Sequence, residues 1–143
     1  QPIQEVRISH DREWTKQHQK TLQSIYGKSP FFKYYIDELS ELYSSDENYL
    51  FDLNLNIIHW LLKQFQLRNS IRQSTEYLKE IPGDIIDLRR QSWSQIVKQY
   101  SLSIPMSYEL RSPSVFPELC SLDLLFHFGP EAGFILEEIC PAL

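Results

Sequence analysis

Apolar positions along most of this chain recur with a period near 3.6, the repeat of helices that bury one face. The first such stretch runs from Asp11, a candidate cap, to about Tyr26. Trp14, Leu22, Ile25 and Tyr26 share a face there, and His18 falls on the same stripe one turn after Trp14. Gly27 is expected in the left-handed conformation that ends many helices. Ser29-Pro30 then puts a cap and a first-turn proline in the favoured order for a second helix. Its inward stripe is Phe32, Tyr35, Leu39, Leu42 and Tyr43, widened by Phe31 and Tyr34. Beyond the polar break Ser45-Asp46-Glu47-Asn48, the segment from Tyr49 to Gln66 is apolar nearly all round, which predicts a central rod. Near the end, Ser121 is expected to cap a short helix, which Gly129-Pro130 stops before starting another through Phe134, Ile135 and Ile139.

Period-two signals are weaker. Gln4 to Ile8 places Val6 and Ile8 on one side, and Ile71 to Leu78 alternates in a similar way. Pro82-Gly83 reads as a turn, a short helix is expected over Trp93 to Tyr100, and Pro105, Pro113 and Pro117 imply extended connections. The pattern predicts a mainly α (α+β) fold. It is a compact bundle of about six helices around the apolar helix 49–66, with one or two short strands, in a single domain over 1–143.

Composition adds exclusions. The 143 residues carry 19 acids against 14 Lys and Arg, a net charge of −5. That lacks the basic footprint of a nucleic-acid binder, and Arg89-Arg90 is the only adjacent basic pair. No apolar run approaches the ~20 residues of a membrane span. Cys120 and Cys140 fit neither a metal nor a redox spacing, and read as small buried residues in a reducing compartment; the expected location is cytoplasmic. No phosphate loop, dinucleotide fingerprint or zinc spacing names a cofactor.

Three segments stand in a recognisable order: Asp11-Arg12-Glu13-Trp14 with His18 and Lys20 running on to Tyr34-Tyr35; the apolar helix with Trp60-Leu61-Leu62; and Leu119-Cys120-Ser121-Leu122-Asp123-Leu124-Leu125-Phe126-His127-Phe128-Gly129-Pro130-Glu131-Ala132. Together they resemble the WbqC-like family over most of the chain. The chain departs from that family in lacking its N-terminal portion, and in the spacing around Tyr108, Val115 and Phe116. The resemblance implies a role in bacterial surface-polysaccharide (O-antigen) biosynthesis. In that context a nucleotide sugar and an acyl donor are the expected partners, and acyl or aminoacyl transfer to a nucleotide-linked amino sugar the expected reaction. The alternative is a non-catalytic binding or interaction module of the same assembly.

Each candidate for chemistry also has a structural reading. His18 beside Trp14 is a candidate general base, against a core-edge histidine. Asp123 and His127, spaced i,i+4, form the carboxylate–imidazole half of many hydrolytic triads, although no nucleophile elbow accompanies them and Ser121 is better explained as a cap. Lys20, Tyr34, Tyr35 and Glu131 are candidate substrate contacts, the tyrosines competing with an ordinary aromatic core. The stripe Asp52, Asn56, His59 and Lys63 reads first as the wet face of its helix. No metal ligands are assigned.

Overall fold

The structure, a computed structural model, describes residues 2–9, 13–45, 47–74, 76–83, 85–89, 91–92, 95–96 and 120–139. Two compact units divide the chain, one of residues 1–68 with 120–134, the other of 69–119 with 135–143. The described residues are mainly helical: α1 (Trp14–Tyr26), α2 (Phe32–Tyr43), α3 (Leu50–Gln64), α4 (Ser121–Phe128) and α5 (Ala132–Ile139), with 3₁₀ turns at Ile3–Glu5 and Gly129–Glu131.

In the first unit α2 is the hub, packing on α1, α3 and α4. Phe32 and Leu39 of α2, Leu53 and Trp60 of α3, Phe65 just beyond it, and Leu124, Leu125, Phe126 and Phe128 of α4 are buried. The edge of the Phe32 ring meets Phe126 at 5.0 Å between centroids, an arrangement that suits aromatic quadrupoles. A clamp adds to the α2–α3 contact: the Trp60 indole N–H and the Gln64 amide both donate to Glu38 Oε2, at 2.8 and 2.9 Å.

The expected all-round burial of 49–66 is corrected. Leu53, Trp60 and Phe65 are its buried residues, whereas Ile58 is 46% exposed, so α3 presents one face to α2 and another to solvent. The most thoroughly buried helix is α4, eight residues carrying five buried side chains. Of the Asp52, Asn56, His59 and Lys63 stripe, His59 and Lys63 are exposed, while Asp52 and Asn56 are half-buried and the Asn56 amide donates to Glu47.

The first expected strand is also corrected. Ile3–Glu5 is a 3₁₀ turn, and Arg7 forms a single antiparallel bridge with Tyr49. Leu50 N–H donates to Val6 O and Ile8 N–H to Asn48 O, both at 2.9 Å, but the partner segment enters α3 at once, so the ladder cannot extend. In the second unit, the described residues of 71–78 hold no strand. Arg89 ties that stretch by donating to Leu78 O and to both carboxylate oxygens of Asp87. Pro82-Gly83 is the expected turn, with Ile85 N–H bonded to Pro82 O. Of the helix expected over 93–100, only 95–96 are described, and the N–H groups of Gln95 and Ile96 return to Ser92 O. Asp11, Cys140, the prolines at 105, 113 and 117, and the departures around Tyr108 and Val115 lie outside the described residues.

Two caps differ from expectation. Gly27 has φ −59°, not a left-handed value; glycine suits the end of α1 because a Cβ there would run into Gln23. Ser121 is the first residue of α4 and makes no capping bond, the N-cap position being Cys120. Gly129, by contrast, does end α4 at φ 55°, where an L side chain is strained, and its open face receives the Phe31 ring.

Candidate functional site

Three features bring the start of α2 against the end of α4. Phe31 N–H donates to Phe126 O at 3.0 Å, the Phe31 ring lies against Gly129, and Tyr26 packs on Phe126 with ring centroids 5.2 Å apart. The result places Ser29 opposite His127. Ser29 Oγ stands 3.4 Å from His127 Nε2, at the long end of hydrogen-bond range, across 98 residues of sequence. On the other side of the ring, His127 Nδ1 lies 2.9 Å from the Asp123 carbonyl oxygen and 3.5 Å from Asp123 Oδ1. Both of these are acceptors, so the tautomer of the neutral ring that suits them has the proton on Nδ1 and a lone pair on Nε2 towards the serine hydroxyl. Asp123 is the one buried charged residue among those described, 4% exposed, while the His127 side chain keeps 26% of its surface open. The array has the order hydroxyl, imidazole, then the Asp123 backbone carbonyl with the carboxylate 3.5 Å away, and the imidazole is its more open side.

Tyr26 borders this array, its ring 6.2 Å from that of His127. Burial pushes its phenol well above the ordinary value of 10, helped by the nearby Cys120 and Asp123 and by a hydrogen bond with Cys120. Tyr43 is also pushed up, by burial first and then by Cys120. Cys120 is thus the neighbour of two phenols, and it is an exposed free thiol rather than the buried residue expected.

Of the residues singled out from sequence, Asp123 and His127 meet as a pair. His18 does not touch them through any contact described above. It is exposed on α1, edge-on to Trp14 (5.3 Å) and Tyr43 (5.9 Å), and eight residues before Tyr26, or about 12 Å along a helix axis. With Arg7, Ile8, Ser9, Trp14 and Leu50 it lines a separate cavity of about 290 Å³. Lys20 lies in an open groove of about 570 Å³ between α1 and α2, with Lys16, Gln23 and Asp37 among its neighbours. Tyr34 is exposed under the Lys33 ammonium, while Tyr35 turns the other way, edge-on to Trp60, and burial raises its phenol. Glu131 is exposed in the 3₁₀ turn before α5. Among the described residues no cluster of three His, Cys, Asp or Glu is arranged to hold a metal.

The sequence reading missed Ser29, Tyr26 and Cys120. Ser29 was assigned to a cap, yet no side-chain cap bond starts α2 and its hydroxyl turns to His127. The available signal was a serine in the turn between two aromatic helices, which many structural serines share.

A mainly helical chain with a hydroxyl–imidazole–carboxylate array at a helix junction is thus what the coordinates define. This chain belongs to the WbqC-like protein family, whose model matches residues 1–93. That match takes in α1, α2, α3 and Ser29 but ends before Asp123 and His127. No curated protein matches the chain, and no solved structure does. No helix among the described residues is long and apolar enough to cross a membrane.

Proposed function

We propose that this WbqC-like chain is an acyltransferase of bacterial surface-polysaccharide (O-antigen) assembly, acting in the cytoplasm on a nucleotide-linked amino sugar. The observation that carries the reading is the orientation of His127: Nδ1 held by Asp123, Nε2 turned to Ser29 Oγ. In the proposed reaction Nε2 accepts the Ser29 proton as Oγ attacks the carbonyl carbon of an acyl donor. The bond to the donor's leaving group breaks, and that group departs with the proton from the imidazolium. The sugar amine then attacks the acyl-serine carbonyl, gives a proton to Nε2, and Ser29 leaves as an oxyanion that recovers it. Asp123 orients the ring and stabilises the imidazolium without itself changing protonation. The pathway and the amino-sugar acceptor are inferred from family membership, which is an argument from association.

The test is incubation of the protein with an acyl thioester, followed by intact-mass measurement and then by addition of a nucleotide-linked amino sugar. An acyl adduct mapping to Ser29, discharged by the sugar, is expected. Ser29→Ala should abolish the adduct, and His127→Gln should slow its formation by about 10²-fold or more. A folded protein that forms no adduct, or a Ser29→Ala variant of undiminished activity, overturns the proposal; the former result favours a binding module.

A further inference from the structure

Helix α3 carries two stripes with the same spacing. Phe51, Leu55, Ile58 and Leu62 form one, and Asp52, Asn56, His59 and Lys63 the other, each stepping by 4, 3 and 4 residues. At about 100° per residue both run along the helix, with the polar stripe flanking the apolar one. The apolar stripe lies about 180° round the helix from Leu53 and Trp60, the buried residues of the α2-facing side. Within it Ile58 is 46% exposed and Phe51, Leu55 and Leu62 are half-buried, while Asn54 on one flank and His59 and Lys63 on the other are exposed. A helix needs an apolar stripe only where another surface covers it, and α3 has a second stripe beyond the one that α2 uses.

The spacing says what fits there. A 4, 3, 4 step reads the same in both directions, so two copies of α3 laid antiparallel about a two-fold axis interdigitate with themselves. Phe51 then lies beside the partner's Leu62, and Leu55 beside the partner's Ile58. Such an axis also brings equal flanks of the two helices together, so that the polar stripe meets its own copy. Asp52 falls opposite the partner's Lys63, and Lys63 opposite the partner's Asp52. The midpoints of the two stripes differ by one residue, ~1.5 Å along the axis, so one register serves both. Among the described residues neither Asp52 nor Lys63 makes an ion pair within its own chain.

We propose that the outer face of α3 is the interface of an antiparallel homodimer, independently of the acyl-transfer reading. One helix pair makes an interface at the small end, under about 1,200 Å², so a dissociation constant in the micromolar range is expected. Sedimentation equilibrium of the whole chain measures it. Asp52→Lys and Lys63→Asp each turn both cross-pairs repulsive and should weaken the dimer about tenfold or more. In an equimolar mixture of those two variants every cross-pair is of opposite charge again, so the mixture should associate about as tightly as the parent chain. Ile58→Glu should leave a monomer with an unchanged circular dichroism spectrum, and Lys20→Asp, an equal change of charge on α1, should leave the dimer intact. The mixture separates this role from the one the charges already have, an acid in the first turn and a base in the last, which suits the helix dipole in a lone chain. A parent chain that stays monomeric at millimolar concentration, a mixture no tighter than its components, or a dimer indifferent to Ile58→Glu would overturn the assignment.

Discussion

Gln66 is the one described non-glycine residue with positive φ, at 57°. It follows α3, where Leu67 N–H reaches back to Leu62 O at 2.9 Å and Gln66 N–H to Lys63 O at 3.1 Å, the paired bonds of a Schellman ending. The geometry calls for glycine, and glutamine strains its Cβ to meet it. Gln66→Gly is therefore expected to stabilise the protein by about 0.5–1 kcal/mol net of the extra freedom of the unfolded chain, read as a higher urea midpoint at unchanged slope. An unchanged or lower midpoint would show that the ending is not strained. The same residue marks a limit of sequence reading. A glycine there would have announced the helix end, and glutamine did not. Ser29 failed to announce itself for a related reason: its partner is 98 positions away, and serine before proline has a commoner local use.

Elements show where one contact holds two of them. Glu38 Oε2 accepts from both Trp60 and Gln64, joining α2 to α3, and Trp60 is only 8% exposed. Removing the acceptor by Glu38→Ala leaves a largely buried indole N–H without that partner. A loss of about 1–2 kcal/mol is expected in chemical denaturation, with Trp60→Phe largely masking it in a double-mutant cycle. At the α2–α4 junction, Gly129→Ala adds a Cβ where the Phe31 ring lies, on a backbone at φ 55°. It should lose about 2 kcal/mol or more and, by shifting Phe31, part Ser29 from His127; adduct formation at Ser29 would then fall further than the folded fraction does. Activity that tracks folded fraction alone would separate Phe31 from site alignment. The helices themselves were readable from sequence because each amphipathic stripe is local. The expected strands were not, since strand formation depends on a partner that period-two alternation does not supply. The apolar circumference of α3 does not make it central: it says that a helix can be enclosed, while only the number of neighbours decides whether it is. In the first unit those neighbours gather on α2 instead.

At the scale of the molecule, three phenols are placed where ionisation opposes folding. Burial raises Tyr26, Tyr35 and Tyr43 above the ordinary value of 10, and Tyr26 is raised most, with Cys120 and Asp123 adding to the effect of burial. The sign of the consequence follows from proton counting. In the unfolded chain these phenols lose protons near pH 10, while in the folded chain they keep them to higher pH. The folded state thus binds more protons in that window, and stability falls as pH rises. Below about pH 9 the contribution is constant. Urea midpoints measured between about pH 8 and 11 should therefore hold level and then decline. Tyr26→Phe removes the most strongly raised phenol and keeps its packing against Phe126. Its alkaline decline should be shallower than that of the parent protein. An equally steep decline in the variant would place the sensitivity on other groups and remove the argument that Tyr26 is held neutral beside the Ser29–His127 pair.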